Sequence, residues 1–338
     1  MEHPFPYADD NKRYHTLAYH LKKRFGRRVF KASIDAGFTC PNLDGTRGTG
    51  GCTYCQGGSG AFAPGPSLSV SDQVRQEQAR IHSKWKDAPV IAYFQAHTNT
   101  YAPLDTLKRK YEEALSVDGV CGLSIATRAD ALPKETVAYL AQLSQQTYLT
   151  VELGLQTIHD GTAERIHRGH SYAEFLHAYQ ILKGHGIRVC VHLIDGLPGE
   201  TQSMMLETAR AVGRLRPDAV KLHLLHILRG TPLAEEFTAG KLEPMTREAY
   251  ICTVCSQLER LPPETVIERV TGDGQREMLL APLWSLDKIA VLGGIDQEMA
   301  RRDTIQGVLF YKCLNILVMM KPILVHICFF GIQLMLEG

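Results

Sequence analysis

Apolar and polar positions follow two rhythms over residues 29–227. Short apolar runs rich in β-branched residues predict strands at 29–35, 90–95, 121–127, 148–155, 188–195 and 219–227. Between them, apolar positions recur every three or four residues. That period predicts helices over 71–85, 103–115, 134–144, 171–186 and 199–215, the fourth closing on Gly186. Strand–helix units with strands this apolar imply a parallel sheet with right-handed crossovers. The fold class is therefore α/β. Six units fit a partial (β/α)6 TIM-like barrel, open on one side, better than the closed eight-unit form, and the active site belongs at the C-terminal ends of the strands.

The rhythm changes at both ends of the chain. Residues 1–28 read as an N-terminal helical segment and 29–228 as the barrel. Residues 229–307 read as a C-terminal α/β extension packed on the barrel, with a helix near 246–261, a strand near 265–270 and a helix near 286–302. Residues 308–338 are far more apolar, enough to span a bilayer by length. Lys321-Pro322 interrupts that stretch and Lys312, Asn315 and His326 dilute it, which favours a packed helix or a foreign tail over a membrane anchor. No role follows from it.

Composition adds boundaries. With 44% hydrophobic and 22% charged residues, the 338-residue chain has an ordinary globular balance. Lys and Arg number 37 against 36 Asp and Glu, so bulk charge marks no polyanion binder. A local basic patch of Lys22, Lys23, Arg24, Arg27 and Arg28 reads as a solvated helix face, with phosphate contact as the alternative. The polar N-terminus has no signal-peptide core, which predicts a cytoplasmic protein. Nine cysteines, odd in number and unevenly spaced, then point to metal or redox chemistry rather than a disulfide framework.

Three of those cysteines, Cys40, Cys52 and Cys55, form C-x11-C-x2-C inside a Gly- and Pro-rich loop, 37–66, directly after the first strand. The short gap aims two thiolates into one site, and the glycines let the loop bend Cys40 back to join them. Structural zinc takes four protein ligands and ferredoxin-type clusters take four cysteines. Three thiolates on a [4Fe–4S] cluster leave one iron open. Zinc would need a distant fourth ligand such as His97. Cys252 and Cys255 also form C-x2-C, but within a helical stretch, where core packing is the default.

The cysteine loop, together with YFQAHTNTYAP, TRADALP, VELGLQT, HLIDGLPGET and APLWSLDKIAVL, resembles the radical S-adenosylmethionine (SAM) enzymes. Within them it is similar to the YhcC-like family, a relative of the radical domain of the Elongator catalytic subunit. The resemblance implies a cluster held by Cys40, Cys52 and Cys55, whose open iron binds the amino and carboxylate groups of SAM. Reductive cleavage of SAM to a 5′-deoxyadenosyl radical would follow. It places Tyr54 beside the adenine, and Gln95, Thr98 and Asn99 at the SAM amino group, where typical members carry Gly-Gly-Glu. Glu152 and Gln156 would meet the ribose or amino group, with Arg128 facing the site and Arg168 reaching the carboxylate. Ile194 and Gly196 would support the adenine.

Each has a plainer reading: loop packing for Tyr54, a polar turn for 95–100, and a salt bridge to Lys31 or Arg128 for Glu152. His192, His223 and His226 alternate so as to line the interior, as core histidines or substrate contacts. No catalytic residue is assigned beyond the cluster ligands. The kinship raises tRNA as a substrate and a flavodoxin- or ferredoxin-type protein as electron donor. The competing reading is a non-catalytic iron–sulfur or zinc protein that binds a partner.

Overall fold

The structure, a computed structural model, describes residues 5–55, 63–272 and 274–310. The apolar stretch 308–338 lies outside them beyond Phe310, as do residues 56–62 of the cysteine loop.

Helix α1 (Leu17–Phe25) precedes six strand–helix units. The strands are β1 (Phe30–Ile34), β2 (Val90–Phe94), β3 (Val120–Thr127), β4 (Tyr148–Gln156), β5 (Arg188–Asp195) and β6 (Ala219–Leu224). The intervening helices are α2 (Val70–His82), α3 (Leu104–Leu115), α4 (Lys134–Ser144), the pair α5 (Asp160–Arg165) and α6 (Tyr172–Gly184), and α7 (Gln202–Leu215). Local signals start them: Ser69, Ser171 and Thr201 cap α2, α6 and α7, and Ser171 forms a full capping box with Glu174.

Two expectations need correction. The run 219–227 is not one strand. Leu225 turns its amide back to the Asp195 carbonyl at 2.9 Å, so β6 ends at Leu224 and a separate strand, β7 (Ile227–Leu228), follows. After α8 (Pro232–Thr238) and α9 (Arg247–Leu258), strand β8 (Val266–Arg269) does not merely pack on the barrel but pairs parallel with β6. The sheet thus has seven parallel strands in the order β1-β2-β3-β4-β5-β6-β8. Strand β9 (Leu279–Ala281) pairs antiparallel with β7, and α10 (Lys288–Arg301) packs against α9.

The sheet curls strongly. In a flat sheet, β1 and β8 would stand roughly 29 Å apart, six spacings of ~4.8 Å. Instead the Lys31 ammonium of β1 lies 2.6 Å from the Glu268 carboxylate of β8. Those two edges face each other across a half-barrel. The N-terminal segment covers the outer edge of β8, where the Ile267 amide donates to the His15 carbonyl at 2.7 Å.

The main core lies between the sheet and its outer helices, where Phe94 and Tyr111 meet edge to face at 5.0 Å among Leu123, Leu140 and Phe175. Cys255 belongs to that core, as its position on α9 predicts, while Cys252 is half-buried beside Arg302. No helix among the described residues is long and apolar enough to cross a membrane.

Candidate active site at the open end of the half-barrel

The loop after β1 folds over the C-terminal ends of the strands and is pinned on several sides. The Leu43 amide donates to the Cys40 carbonyl, the Gly51 amide to the Asn42 carbonyl, and the Cys55 amide to the Cys52 carbonyl, at 2.8, 2.8 and 2.9 Å. Outside the loop, the Thr53 amide reaches the Ile166 carbonyl and the Thr98 amide reaches the Thr39 carbonyl. Asn42 is the buried brace: its Nδ2 donates to the His167 carbonyl at 2.6 Å and lies 3.6 Å from Cys52 Sγ.

All three loop cysteines line one cavity of about 340 Å³. Among the described residues no three His, Cys, Asp or Glu meet where a single metal ion could be held. Three thiols spread around one cavity suit a polynuclear cluster, whose irons each take one thiolate.

Below the cysteines, the strands supply a polar interior. Glu152 of β4 is fully buried and accepts from Lys31 Nζ at 2.6 Å, from Ser124 Oγ at 2.5 Å, from His192 Nε2 at 2.7 Å and from Lys221. Glu268 of β8 also pairs with Lys31, and Lys221 Nζ donates to Tyr93 Oη at 3.1 Å. Both ammoniums sit over the Tyr93 ring, 4.8 and 4.4 Å from its centre. Burial alone would raise the Glu152 carboxyl, but Lys221, Lys31 and His192 outweigh it and hold it well below the ordinary carboxylate range. For Lys31 and Lys221, burial pushes downward, and the carboxylates of Glu152 and Glu268 more than offset it, so both stay charged. Two carboxylates and two ammoniums close this cluster without net charge.

The structure brings most of the sequence-predicted residues to the cavity wall: Tyr54, Gln95, Thr98, Arg128, Glu152, Gln156, Arg168 and Ile194. Tyr54 and Ile194 pack on one apolar cluster with Leu197 and Leu225. Glu152 makes the ion pair with Lys31 that its plainer reading describes, and Arg128 is bound elsewhere, bidentate to Asp130 at 2.8 Å. Arg168 donates to the Gly154 carbonyl at 2.6 Å, yet its Nε is buried without a partner among the described residues.

Thr98 Oγ1 and Gln156 Oε1 are likewise buried and, among the described residues, unpartnered, and Gln156 holds the left-handed backbone at φ 76° beside an irregularity in the β4–β5 ladder. Asn99 does not line the cavity. Its Nδ2 ties the Phe94 and Ala126 carbonyls together at 3.1 and 2.9 Å, joining the ends of β2 and β3. Gly196, at φ 82°, also stands off the wall; a Cβ there would meet Met245 at 3.0 Å.

Tyr93, Ser124, Lys221, Glu268 and Arg269 were not singled out by sequence. Their signal was the alternation of Lys31, Tyr93, Ser124 and Lys221 with apolar neighbours inside otherwise buried strands.

Comparison with known proteins places the chain in a family. The family model described as the Radical SAM superfamily matches residues 44–212, and the Radical_SAM C-terminal domain model matches 217–301. YtqA of Bacillus subtilis is 49% identical over 313 residues, covering 92% of this chain and 97% of the relative. YhcC of Escherichia coli K12 is 39% identical over 265 residues, 78% of this chain and 85% of the relative. A tRNA uridine(34) acetyltransferase of Methanocaldococcus jannaschii is 30% identical over 154 residues, which is 45% of this chain and 28% of that one. Among solved structures, Elp3 of Methanocaldococcus infernus superposes with a TM-score of 0.63 at 18% identity, covering 84% of this chain and 67% of its own.

Proposed function

The chain belongs to the radical SAM superfamily and is an enzyme with a [4Fe–4S] cluster and SAM as cofactors; from that premise we propose that it cleaves SAM reductively in this cavity to modify an RNA, with tRNA as the substrate. The observation that carries the reading is the joint placement, around one cavity at the strand ends, of three loop thiols and three buried polar groups, on Thr98, Gln156 and Arg168, that have no partner among the described residues. Buried polar atoms without partners are costly in a folded protein, and a polar ligand relieves that cost.

When bound, the cluster and SAM supply one-electron cleavage of a sulfonium to methionine and a 5′-deoxyadenosyl radical that takes hydrogen from substrate. Cys40, Cys52 and Cys55 hold the cluster, and Asn42 steadies the Cys52 sulfur. Arg168 offers a guanidinium to the SAM carboxylate, Thr98 and Gln156 offer oxygens to its amino group and ribose, and Tyr54 and Ile194 provide an apolar wall for the adenine. Glu152 acts through the interior ion cluster, holding the strands that carry these groups. A flavodoxin- or ferredoxin-type protein supplies the electron.

The tRNA assignment draws on the stretch shared with the tRNA uridine(34) acetyltransferase. The basic residues Lys22, Lys23, Arg24, Arg27 and Arg28 add nothing at the cavity mouth. All five precede β1; Arg27 and Arg28 stand beside Asp87 and Trp85 at the N-terminal ends of the strands, the end away from the cavity, and Lys22 pairs with Asp9.

The test is anaerobic reconstitution, addition of SAM and dithionite, and quantification of 5′-deoxyadenosine beside a Cys55→Ala control. Formation by the unmutated protein alone supports the cleavage; none, at full iron and sulfide content, sinks it. For the substrate, tRNA from cells lacking the gene is incubated with the active protein and its nucleosides are weighed by mass spectrometry. An enzyme-dependent mass change supports tRNA, and an unchanged nucleoside profile removes it.

A further inference from the structure

Asn42 stands between two spaces. Cys52, beside it, faces the cavity of the cysteines, while Asn42 itself lines a groove on the outer side of the loop together with Thr49 and Gly169. Its side chain is buried, and the backbone closes tightly around it. A Cβ on Gly48 would lie 2.5 Å from Asn42 Oδ1, and one on Gly169 would lie 2.8 Å from the same atom. Neither position accepts a side chain unless the amide moves.

The turn facing this amide is unusual as well. His167 and Gly169 both hold the left-handed backbone, at φ 52° and 78°, a strained state for histidine. The turn aims two successive carbonyls at buried donors. His167 accepts from Asn42 Nδ2 at 2.6 Å, and Arg168 accepts from Arg128 Nη1 at 2.8 Å. The His167 carbonyl also decides which end of the Asn42 amide is nitrogen, because an oxygen turned toward it would find no hydrogen. An amide nitrogen carries two hydrogens. One goes to His167, and the second serves Cys52 Sγ, 3.6 Å away. A side chain that only filled space here would need no N–H. A donor aimed at a thiolate does more, since it stabilises negative charge on the sulfur.

We propose that Asn42 tunes the reduction potential of the cluster, raising it by donating an Nδ2 hydrogen to the Cys52 sulfur. This rests on the reading of Cys40, Cys52 and Cys55 as the cluster ligands, and it goes beyond holding the sulfur in place. The step concerned is the arrival of one electron: the donor protein is oxidised by one electron, the cluster is reduced by one, and Asn42 keeps its protons. Reduction adds negative charge that the sulfurs share, so a hydrogen bond to sulfur favours the reduced state over the oxidised one. Asn42 does not line the cavity and is a positioning residue for electron transfer. The strained turn at 167–169 and the two close glycines keep its amide in the orientation that serves the sulfur.

The experiment is an anaerobic redox titration of the reconstituted full-length protein without SAM. Titanium(III) citrate is the reductant, and electron paramagnetic resonance follows the reduced cluster in wild type, Asn42→Leu and Asn42→Ala. Leucine keeps a branched side chain of similar shape and removes the N–H. Its cluster should be harder to reduce, with an equilibrium constant about threefold lower, which is about 28 mV downward at about 59 mV per tenfold for one electron. Alanine removes the N–H too, but it opens a path for water from the outer groove to Cys52. Water also stabilises the added charge, so the downward shift in Asn42→Ala should be smaller than in Asn42→Leu.

A fall of less than about twofold in Asn42→Leu, or a rise, overturns the proposal. If Asn42→Leu holds no cluster, the sign of the shift in Asn42→Ala decides: a fall supports the proposal, and no change or a rise overturns it. If neither variant holds a cluster, the amide builds the loop rather than tuning the sulfur, and the proposal is overturned. Cys52→Ala is reconstituted in parallel. A cluster kept there at full iron and sulfide content shows that Cys52 is no ligand and fails the reading beneath the inference. Loss of the cluster in Cys52→Ala with an unshifted potential in Asn42→Leu fails the inference alone.

Discussion

Replacing Glu152 by Gln tests the interior ion cluster most directly. Glu152 is fully buried, Glu268 and Lys221 nearly so, and Lys31 keeps 16% of its side-chain exposure. With His192 neutral, the four charges sum to zero. The substitution leaves one ammonium in excess in an almost dry site, and it converts an acceptor of four hydrogen bonds into a group that is part donor. Removing one member of a buried pair costs about 3–5 kcal/mol, because the surviving charge stays desolvated without compensation. A Coulomb figure of about 4 kcal/mol at 4 Å and an effective dielectric constant of 20 agrees in size. That is about a fifth or more of the stability of an ordinary domain, about 5–15 kcal/mol.

The assay is urea unfolding at pH 7.5 by far-ultraviolet circular dichroism, on the single variant and on Glu152→Gln combined with Lys221→Met. The double variant restores neutrality and is expected to recover all but about 1–2 kcal/mol. The Glu152 carboxyl is depressed in the folded protein. Its contribution is therefore complete above the unfolded value of about 4.3 and is lost as pH falls through the lower folded value. The gap between wild type and Glu152→Gln should hold from pH 6 to 8 and close only in strong acid. A single variant within about 1 kcal/mol of wild type, or a double variant no more stable than the single, would refute the reasoning. SAM affinity of the double variant then separates the two roles of Glu152. Restored stability with lost affinity means that the carboxylate also touches SAM.

Three further outcomes follow from the same geometry. Cys40→Ala, Cys52→Ala and Cys55→Ala should each abolish cluster absorbance and SAM cleavage, while Cys255→Ala, in the core behind the sheet, should cost stability and leave the absorbance intact. In Gly154→Ala the new Cβ would lie 2.7 Å from the Arg168 guanidinium and 3.0 Å from the Gln156 amide, so both must move. Equilibrium dialysis is expected to show SAM affinity reduced by about tenfold or more, and unchanged affinity would remove Arg168 from the SAM site. Burial lifts the Asp195 carboxyl to about 7, despite the Gln257 amide that donates to it at 2.6 Å. The folded state thus keeps a proton that the unfolded state loses, and stability falls as pH rises from about 4 to 7. Asp195→Asn should remove part of that slope, which unfolding midpoints at pH 5 and 8 measure.

Much of the fold was legible because strands and helices bury their faces at different periods. Val151, Leu153 and Leu155 alternate along β4 with Glu152 and Gly154, and helix 134–144 appears in the structure with those bounds. The short extension strand was legible as a strand but not as a sheet member, since four residues carry no mark of their neighbour. The run 219–227 read as one strand because its apolar character continues through the turn at Leu225. Only the hydrogen bond from the Leu225 amide to Asp195, thirty residues earlier in sequence, ends it.

The sequence by itself determined the chemistry and its address. Thiol count and spacing are local properties, and the strand–helix alternation assigns the loop after the first strand to the C-terminal end of a parallel sheet. Tertiary structure decided which polar groups are taken and which are left over. Glu152 could face a cofactor or a lysine, and curling the sheet until β1 meets β8 delivers Lys31, Lys221 and His192 to it together. The same curl brings Arg269, from a strand more than two hundred residues after the cysteine loop, to the wall of one cavity with the three cysteines. Such meetings depend on long-range closure of the barrel, and no window of sequence contains both partners.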